Sequence, residues 1–217
     1  MTVEWLQSSE SEVSYPAAPW PLAGSMWVTL FRVRRPVDPS RPAGLYAAAF
    51  VSYDEPSPLT YSELLVARPV RAAGTRRPHV TITDIWVDSP ESMAGGRELW
   101  AIPKGLADFE LDTAHRGPLA TTEWTARDGR VPIARASFTD VSRAVPRTPF
   151  AGATSQTGLP DTGDEPRAAP IRGSAHTFAA RARWDVNPDG PLGWMAGARQ
   201  LGSVRLAGFR MAFGETG

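Results

Sequence analysis

The sequence predicts a β-rich α+β domain built on a large, curved, mostly antiparallel sheet system. Three observations point there. The 21 prolines and 19 glycines among 217 residues cut the chain into short segments, which disfavours a bundle of long helices. Between those breakers lie eight runs rich in β-branched and aromatic residues, several of them alternating apolar and polar positions. Only two stretches carry helical signals, and both contain glycine.

The strand-like runs, in order, are SMWVTLFRVRR (25–35), GLYAAAFVSY (44–53), ELLVARPV (63–70), HVTITDIWV (79–87), ATTEWTAR (120–127), RVPIARASF (130–138), AHTFAARARWDV (175–186) and SVRLAGFRMAF (203–213). Alternation in the last puts Ala207, Phe209, Met211 and Phe213 on one face, opposite Leu206, Gly208 and Arg210. The first helical stretch is SPESMAGGRELWAI. Ser89 is placed to cap it and Pro90 to occupy its first position, Gly95 and Gly96 weaken its middle, and Pro103 stops it just before Lys104. The second is LGWMAGARQLG (192–202), with Leu192, Met195 and Arg199 on one side, read as a helix packed on the sheet. The run 150–170 is poor in hydrophobic residues and dense in Gly, Pro, Ser, Thr and Asp, and reads as a flexible surface loop.

The length fits one domain, residues 1–217. Acidic and basic residues balance at 23 each, so no global field favours nucleic acid or an anionic membrane. With no cysteine, disulfides and thiolate sites are excluded. The first residues, MTVEWLQSSESEV, lack an apolar signal core, and no uncharged apolar run approaches a membrane span; the cytoplasm is the expected compartment. Phosphate-binding glycine loops, HExxH and GxSxG are absent. His79, His115 and His176 lack metal-ligand spacing, so neither a metal nor another cofactor is expected, although His176 shares a strand face with Phe178 and Trp184 that can reach a cavity. In TDIWVD, Asp84 and Asp88 lie on one strand face, either as an acid–base pair or as salt-bridge partners of the many arginines.

Lys104 is the only lysine; every other cationic side chain, the three histidines aside, is an arginine. Codon bias in a GC-rich genome accounts for the scarcity. Chemistry accounts for an exception, because a lysine can shed its proton and act as a nucleophile and an arginine cannot. Composition does not decide between the two.

The neighbourhood carries more. The stretches YPAAPWPLAGSMWVTLFRV, SPLTYSELLVARPV, TDIWVDSPESMAGGRELWAIPKGLADFEL and, more weakly, VRLAGFRMAFGE together resemble the acetoacetate decarboxylase superfamily. The most specific element is GRELWAIPKGL. The resemblance runs from about residue 15 to 113. It implies sheets forming a cone or open barrel around an apolar cavity, and a lysine at position 104 that forms a Schiff base with a keto substrate. It also implies a site glutamate at Glu63, for which pairing with Arg68 is the competing reading, and a place in the substrate-binding wall for Tyr61, Trp100 and Trp27. Family functional positions that fall at Ser25, Ala48 and Gly105 hold residues without the family's charges. Substrate recognition is then expected from Arg97, Arg32 or Arg68, with Arg97 alternatively a brace for its loop. Without a cation at Gly105, Lys104 is expected to rely on burial against Trp100, Ile102 and Leu106 to lower its pKa; about three units of lowering costs about 4 kcal/mol.

Two functions remain open at this level. One is a Schiff-base lyase acting on a small β-keto acid or related carbonyl compound, a decarboxylase or an aldolase or dehydratase of specialised metabolism. The other is a non-catalytic small-molecule-binding protein that keeps the fold. In both, the partner is a small molecule, with no nucleic acid or membrane, and the resemblance implies a homo-oligomer.

Overall fold

The computed structural model describes residues 3–9, 12–72, 74–75, 77–141 and 145–215. Two short strands, β1 (Trp5–Gln7) and β2 (Ser14–Pro16), pair with each other at the edge of the molecule. The remaining strands form one sheet: β3 (Trp20–Val33), β4 (Gly44–Asp54), β5 (Tyr61–Val70), β6 (His79–Val87), β7 (Lys104–Leu106), β8 (Asp108–Arg116), β9 (Leu119–Asp128), β10 (Val131–Val141), β11 (Arg147–Gln156), β12 (Arg167–Val186) and β13 (Arg199–Phe213). Among the described residues a single α-helix, α1 (Pro90–Trp100), lies between β6 and β7.

The sheet closes on itself. Neighbours run β6, β5, β4, β3, β13, β12, and β11 then pairs with both β12 and β6, so the path returns to its start. Closure removes the exposed edges of the strands in the ring and leaves β8 as an edge strand outside it. The β11–β6 seam is short, with Ala153 against His79 and Thr154 against Val80. Gln156 extends it with its side chain: the amide oxygen accepts from the Ile82 N–H at 2.8 Å and the amide nitrogen donates to the Ile82 carbonyl at 3.0 Å.

Strand β12 is 20 residues long and serves two layers. Its first half pairs with β11 and β13 in the barrel wall; its second half pairs with β10, carrying the meander β10, β9, β8 out of the barrel. That meander folds over the outer face of β3, β4 and β5. Strand alternation therefore sends side chains to two separate cores. Phe31, Tyr46, Phe50, Leu64 and Val66 point outward to meet Trp124, Ile133 and Phe138, while Leu22, Val51, Tyr53, Tyr61 and Phe209 point into the barrel. Burial on both faces explains the nearly uninterrupted apolar run AAAFV in β4.

The curved, strand-dominated architecture with one short helix agrees with the fold class read from the sequence. Ser89 caps α1 as expected, its hydroxyl accepting from the Ser92 N–H at 3.0 Å. Three expectations need correction. Residues 192–202 are not a helix: a 3-10 turn (Gly193–Met195) buries Leu192 and Met195, and β13 has begun by Arg199. Glycines at 193, 197 and 202 penalise a helix there, and pairing with β3 from Arg199 onward supplies the backbone bonds instead. The stretch 150–170 is mostly wall: Phe150–Gln156 belongs to β11 and the residues from Arg167 to β12, leaving a connection of 157–166. Its small residues suit the crowded seam, as the full burial of Ala169 shows. In β13, register shifts between Leu206 and Phe209, with Gly208 in the left-handed region at φ 53°, so Leu206 joins Phe209, Met211 and Phe213 on the inner face. Strand β8 escaped the sequence because it is an exposed edge with almost no alternation.

Phe50 is fully buried and stacked between Trp124 and Trp184, at centroid distances of 5.2 and 5.3 Å. Phe50→Ala is expected to lower unfolding stability by about 3–5 kcal/mol in denaturant titration, through the cavity it leaves between barrel and meander.

Candidate functional site

Helix α1 and strand β7 deliver Lys104. Ala101 ends the helix in the left-handed conformation (φ 53°), its N–H bonding back to Arg97, and the chain turns through Pro103 into β7. There Lys104 pairs in parallel with Ile85 of β6. The side chain then runs along the helix, over Gly96. A Cβ at position 96 would lie 2.7 Å from Lys104 Cδ and 2.9 Å from Cε, and one at 95 would lie 2.7 Å from the Trp20 ring. The two glycines that weaken the helix in the sequence are what let it approach the lysine and the tryptophan so closely.

The ammonium is 5 % exposed and all three of its donor directions are used. Nζ lies 3.0 Å from Glu63 Oε2, donates to Ser92 Oγ at 2.8 Å and reaches the Tyr61 hydroxyl at 3.5 Å. The other Glu63 oxygen accepts from the Tyr53 hydroxyl at 3.1 Å. Glu63 and Tyr61 sit two residues apart on the inner face of β5, and Tyr53 is the register partner of Tyr61 on β4, their rings stacked at 4.3 Å. The Tyr61 ring also faces the ammonium, 5.1 Å from its centroid.

Burial pushes the Lys104 pKa down, but the Glu63 carboxylate and Tyr61 push it up by more, so the resting amine is held above the ordinary lysine value of about 10.4. This corrects the expectation that burial alone would depress it. Burial is present; it is opposed by a buried partner charge. The Tyr61 hydroxyl is raised by burial, against the lowering effect of Lys104, and Tyr53 is raised further by burial and by Glu63.

The pair opens onto a cavity of about 410 Å³ inside the barrel. Its walls are apolar, from Leu22, Met26, Leu65, Ile82, Ile85, Phe209 and their neighbours, with Trp20 and Trp100 beside the lysine. No group of His, Asp or Glu that could hold a metal occurs among the described residues.

Of the residues singled out in the sequence, the structure brings Lys104, Glu63, Tyr61 and Trp100 to this cavity. Trp27 is elsewhere, in the core between barrel and meander, under the Arg205 guanidinium. Arg97 does not line the cavity either: it donates to the Lys104 carbonyl at 3.1 Å and pairs with Asp161, whose burial is outweighed by that guanidinium so that its pKa is lowered. It braces the lysine's backbone from outside. Arg68 bonds the Ser40 carbonyl and Arg32 is exposed. Of the hydrophobic neighbours expected to shield the lysine, Leu106 is 45 % exposed. Asp84 pairs with Arg41, Asp88 accepts from the Ser62 N–H, and His176 bonds the Val145 carbonyl.

Ser92, Tyr53 and Trp20 were not anticipated. Tyr53 was legible as the last inward residue of its strand. Ser92 precedes Gly96 by one helical turn, so two small residues on one face marked a close approach.

The family profile described as acetoacetate decarboxylase (ADC) matches residues 35–159, a span that includes β4, β5, α1 and Lys104. This chain belongs to the acetoacetate decarboxylase family. Solved structures in and around that family share its fold. An acetoacetate decarboxylase-like enzyme from Sphingomonas wittichii RW1 is 16 % identical, with a TM-score of 0.65 and 92 % of each chain covered. The enduracididine biosynthesis enzyme MppR complexed with pyruvate is 16 % identical, with a TM-score of 0.67, over 95 % of this chain and 91 % of that one. The acetoacetate decarboxylase of Legionella pneumophila is 16 % identical, with a TM-score of 0.60, over 98 % of this chain and 88 % of that one. No curated protein sequence gives a significant match. Among the described residues of this acetoacetate decarboxylase-family chain, no helix is long and apolar enough to cross a membrane.

Two substitutions probe the pair. Glu63→Gln removes the carboxylate and leaves burial, the largest single influence, opposed only by Tyr61, so Lys104 should titrate below the ordinary lysine value; its single side-chain signal in ¹⁵N-lysine-labelled protein reports this directly. In the parent chain the raised pKa gives stability that is full below about 10.4 and lost as pH rises through the folded value; in the variant, stability rises as pH climbs from its lowered value toward 10.4. Gly96→Ala should still fold, because alanine favours the helix by up to about 1 kcal/mol and the atoms it meets belong to a flexible side chain, but with a net loss of stability from the disturbed buried pair. It should displace Nζ from Glu63 and Ser92, seen as a shift of the same signal.

Proposed function

We propose that this chain is a Schiff-base-forming enzyme, a carbon–carbon lyase in which Lys104 attacks the carbonyl of a small keto acid or related carbonyl compound and Glu63 carries the protons. The observation that carries this reading is the Lys104–Glu63 pair at 3.0 Å, buried at one end of an apolar cavity. Family membership and a structural neighbour solved with pyruvate, a small keto acid, support it.

The steps balance without any further group. The ammonium gives one proton to Glu63, and the neutral amine adds to the carbonyl carbon to form a carbinolamine. Its hydroxyl leaves as water, taking the proton back from Glu63, and a positively charged iminium remains beside the restored carboxylate. The net change is loss of one water. Charge at Nζ is the same at the start and the end, so the pair that stabilises the ammonium also stabilises the iminium. The iminium then draws electrons from the adjacent bond, either with loss of CO2 or with cleavage or formation of an aldol-type bond. Ser92 and Tyr61 orient the amine, and Tyr53 holds the far oxygen of Glu63.

A non-catalytic carbonyl-binding protein is the second reading. The raised pKa of Lys104 favours it, because the resting amine is protonated and needs Glu63 to become a nucleophile.

Borohydride reduction in the presence of pyruvate or acetoacetate separates the two. With a single lysine in the chain, the intact protein should gain one reduced adduct, mapped to Lys104 by peptide mass analysis and absent in Lys104→Met. Absence of an adduct across a panel of keto acids and ketones, at neutral and alkaline pH, would falsify the enzymatic reading and leave the binder.

A further inference from the structure

The cavity says more about its ligand than the lysine does. Lys104 and Glu63 are the only charged side chains among the described residues that line it, and they neutralise each other. A substrate carboxylate would bring a negative charge that no arginine among the described lining residues meets, against walls of leucine, isoleucine, valine, methionine and phenylalanine. Iminium formation does not help, because the charge on Nζ is already balanced by Glu63. An uncharged carbonyl compound meets no such penalty.

A second observation lies at the other end. Thr154 of β11 is 2 % exposed, yet its hydroxyl has no hydrogen-bond partner. Phe150 packs into the barrel and Gln156 reaches across to Ile82, so Thr154, between them in the alternation, faces the same interior. The register partners of Lys104 and Thr154 on β6 are Ile85 and Val80, five residues apart or about 16 Å along the strand. A buried hydroxyl without a partner is costly, and an oxygen on the ligand would satisfy it.

We infer that the cavity takes an uncharged carbonyl compound with an apolar body, its carbonyl at Lys104 and a second oxygen at Thr154. The carbonyl end of this inference rests on the Schiff-base reading; the ligand class does not.

The test uses the full chain and two readouts, adduct mass after cyanoborohydride reduction and quenching of tryptophan fluorescence, since Trp20 and Trp100 line the cavity. Probes are methyl ketones of increasing chain length, their ω-hydroxy counterparts, acetoacetate and pyruvate. The best ketone should half-saturate at a concentration at least about tenfold below either keto acid, and one hydroxylated length should improve on its parent ketone by several-fold. That improvement should vanish in Thr154→Val, which should unfold at or above the parental temperature because it removes an unsatisfied hydroxyl. Equal or tighter labelling by acetoacetate or pyruvate overturns the inference and leaves the Schiff base intact. Saturable quenching by the ketones without an adduct removes the Schiff base and upholds the ligand class. A hydroxyl advantage that survives in Thr154→Val overturns the assignment of Thr154.

Discussion

An ammonium and a carboxylate 3.0 Å apart inside an apolar barrel persist only if their remaining donors and acceptors are met, and much of the inner wall answers that demand. The desolvation cost of two buried ions is several kcal/mol each, and their attraction repays it only with good geometry and further hydrogen bonds. Ser92 and Tyr61 complete the ammonium, and Tyr53 completes the carboxylate. Each comes from a different part of the chain: α1, β5 and β4. The pair is thus a product of strand order, since β4, β5, β6 and β7 are successive neighbours in the sheet and α1 spans the step from β6 to β7.

That demand also explains features that look unfavourable one at a time. Glycines in a short helix cost stability, but at 95 and 96 they let α1 lie against Trp20 and along the lysine side chain. A left-handed alanine at the helix end turns the chain toward β7, and Arg97 bonds the Lys104 carbonyl from the outer side. The cap at Ser89 fixes the start of the same helix and so the height of Ser92 above the pair. Local penalties are offset by a single buried arrangement.

The two-core architecture keeps this arrangement separate from the bulk of the stabilising packing. The meander of β8, β9 and β10 fills the outer face of β3–β5 with tryptophan and phenylalanine, so the inner face can be left partly empty as a cavity. Strand alternation assigns neighbouring residues to opposite duties: Leu64 and Val66 hold the outer core, while Glu63 and Leu65 face the cavity. A one-residue slip in β5 would exchange the two sets.

The sequence by itself determined the strand-dominated class and the capped helix, and through the family resemblance it named Lys104 and Glu63 separately, because alternation, capping and turn chemistry are local and the motifs GRELWAIPKGL and TYSELLVARPV are contiguous. It did not determine where the wall of the cavity runs. Residues 150–156 read as loop because small and polar residues carry no periodic signal, yet the β11 seam needs small residues to close. Leu206 changed faces through a bulge at Gly208 that binary patterning does not register. Trp27, placed in the cavity by the resemblance, and Arg97, placed near it by its position in the motif, lie elsewhere, one in the outer core and the other outside the barrel. The protonation of the lysine, too, was settled only in three dimensions: burial was foreseeable from its neighbours, but its competition with a carboxylate 41 positions earlier depends on a distance that the pairing of β5, β6 and β7 sets.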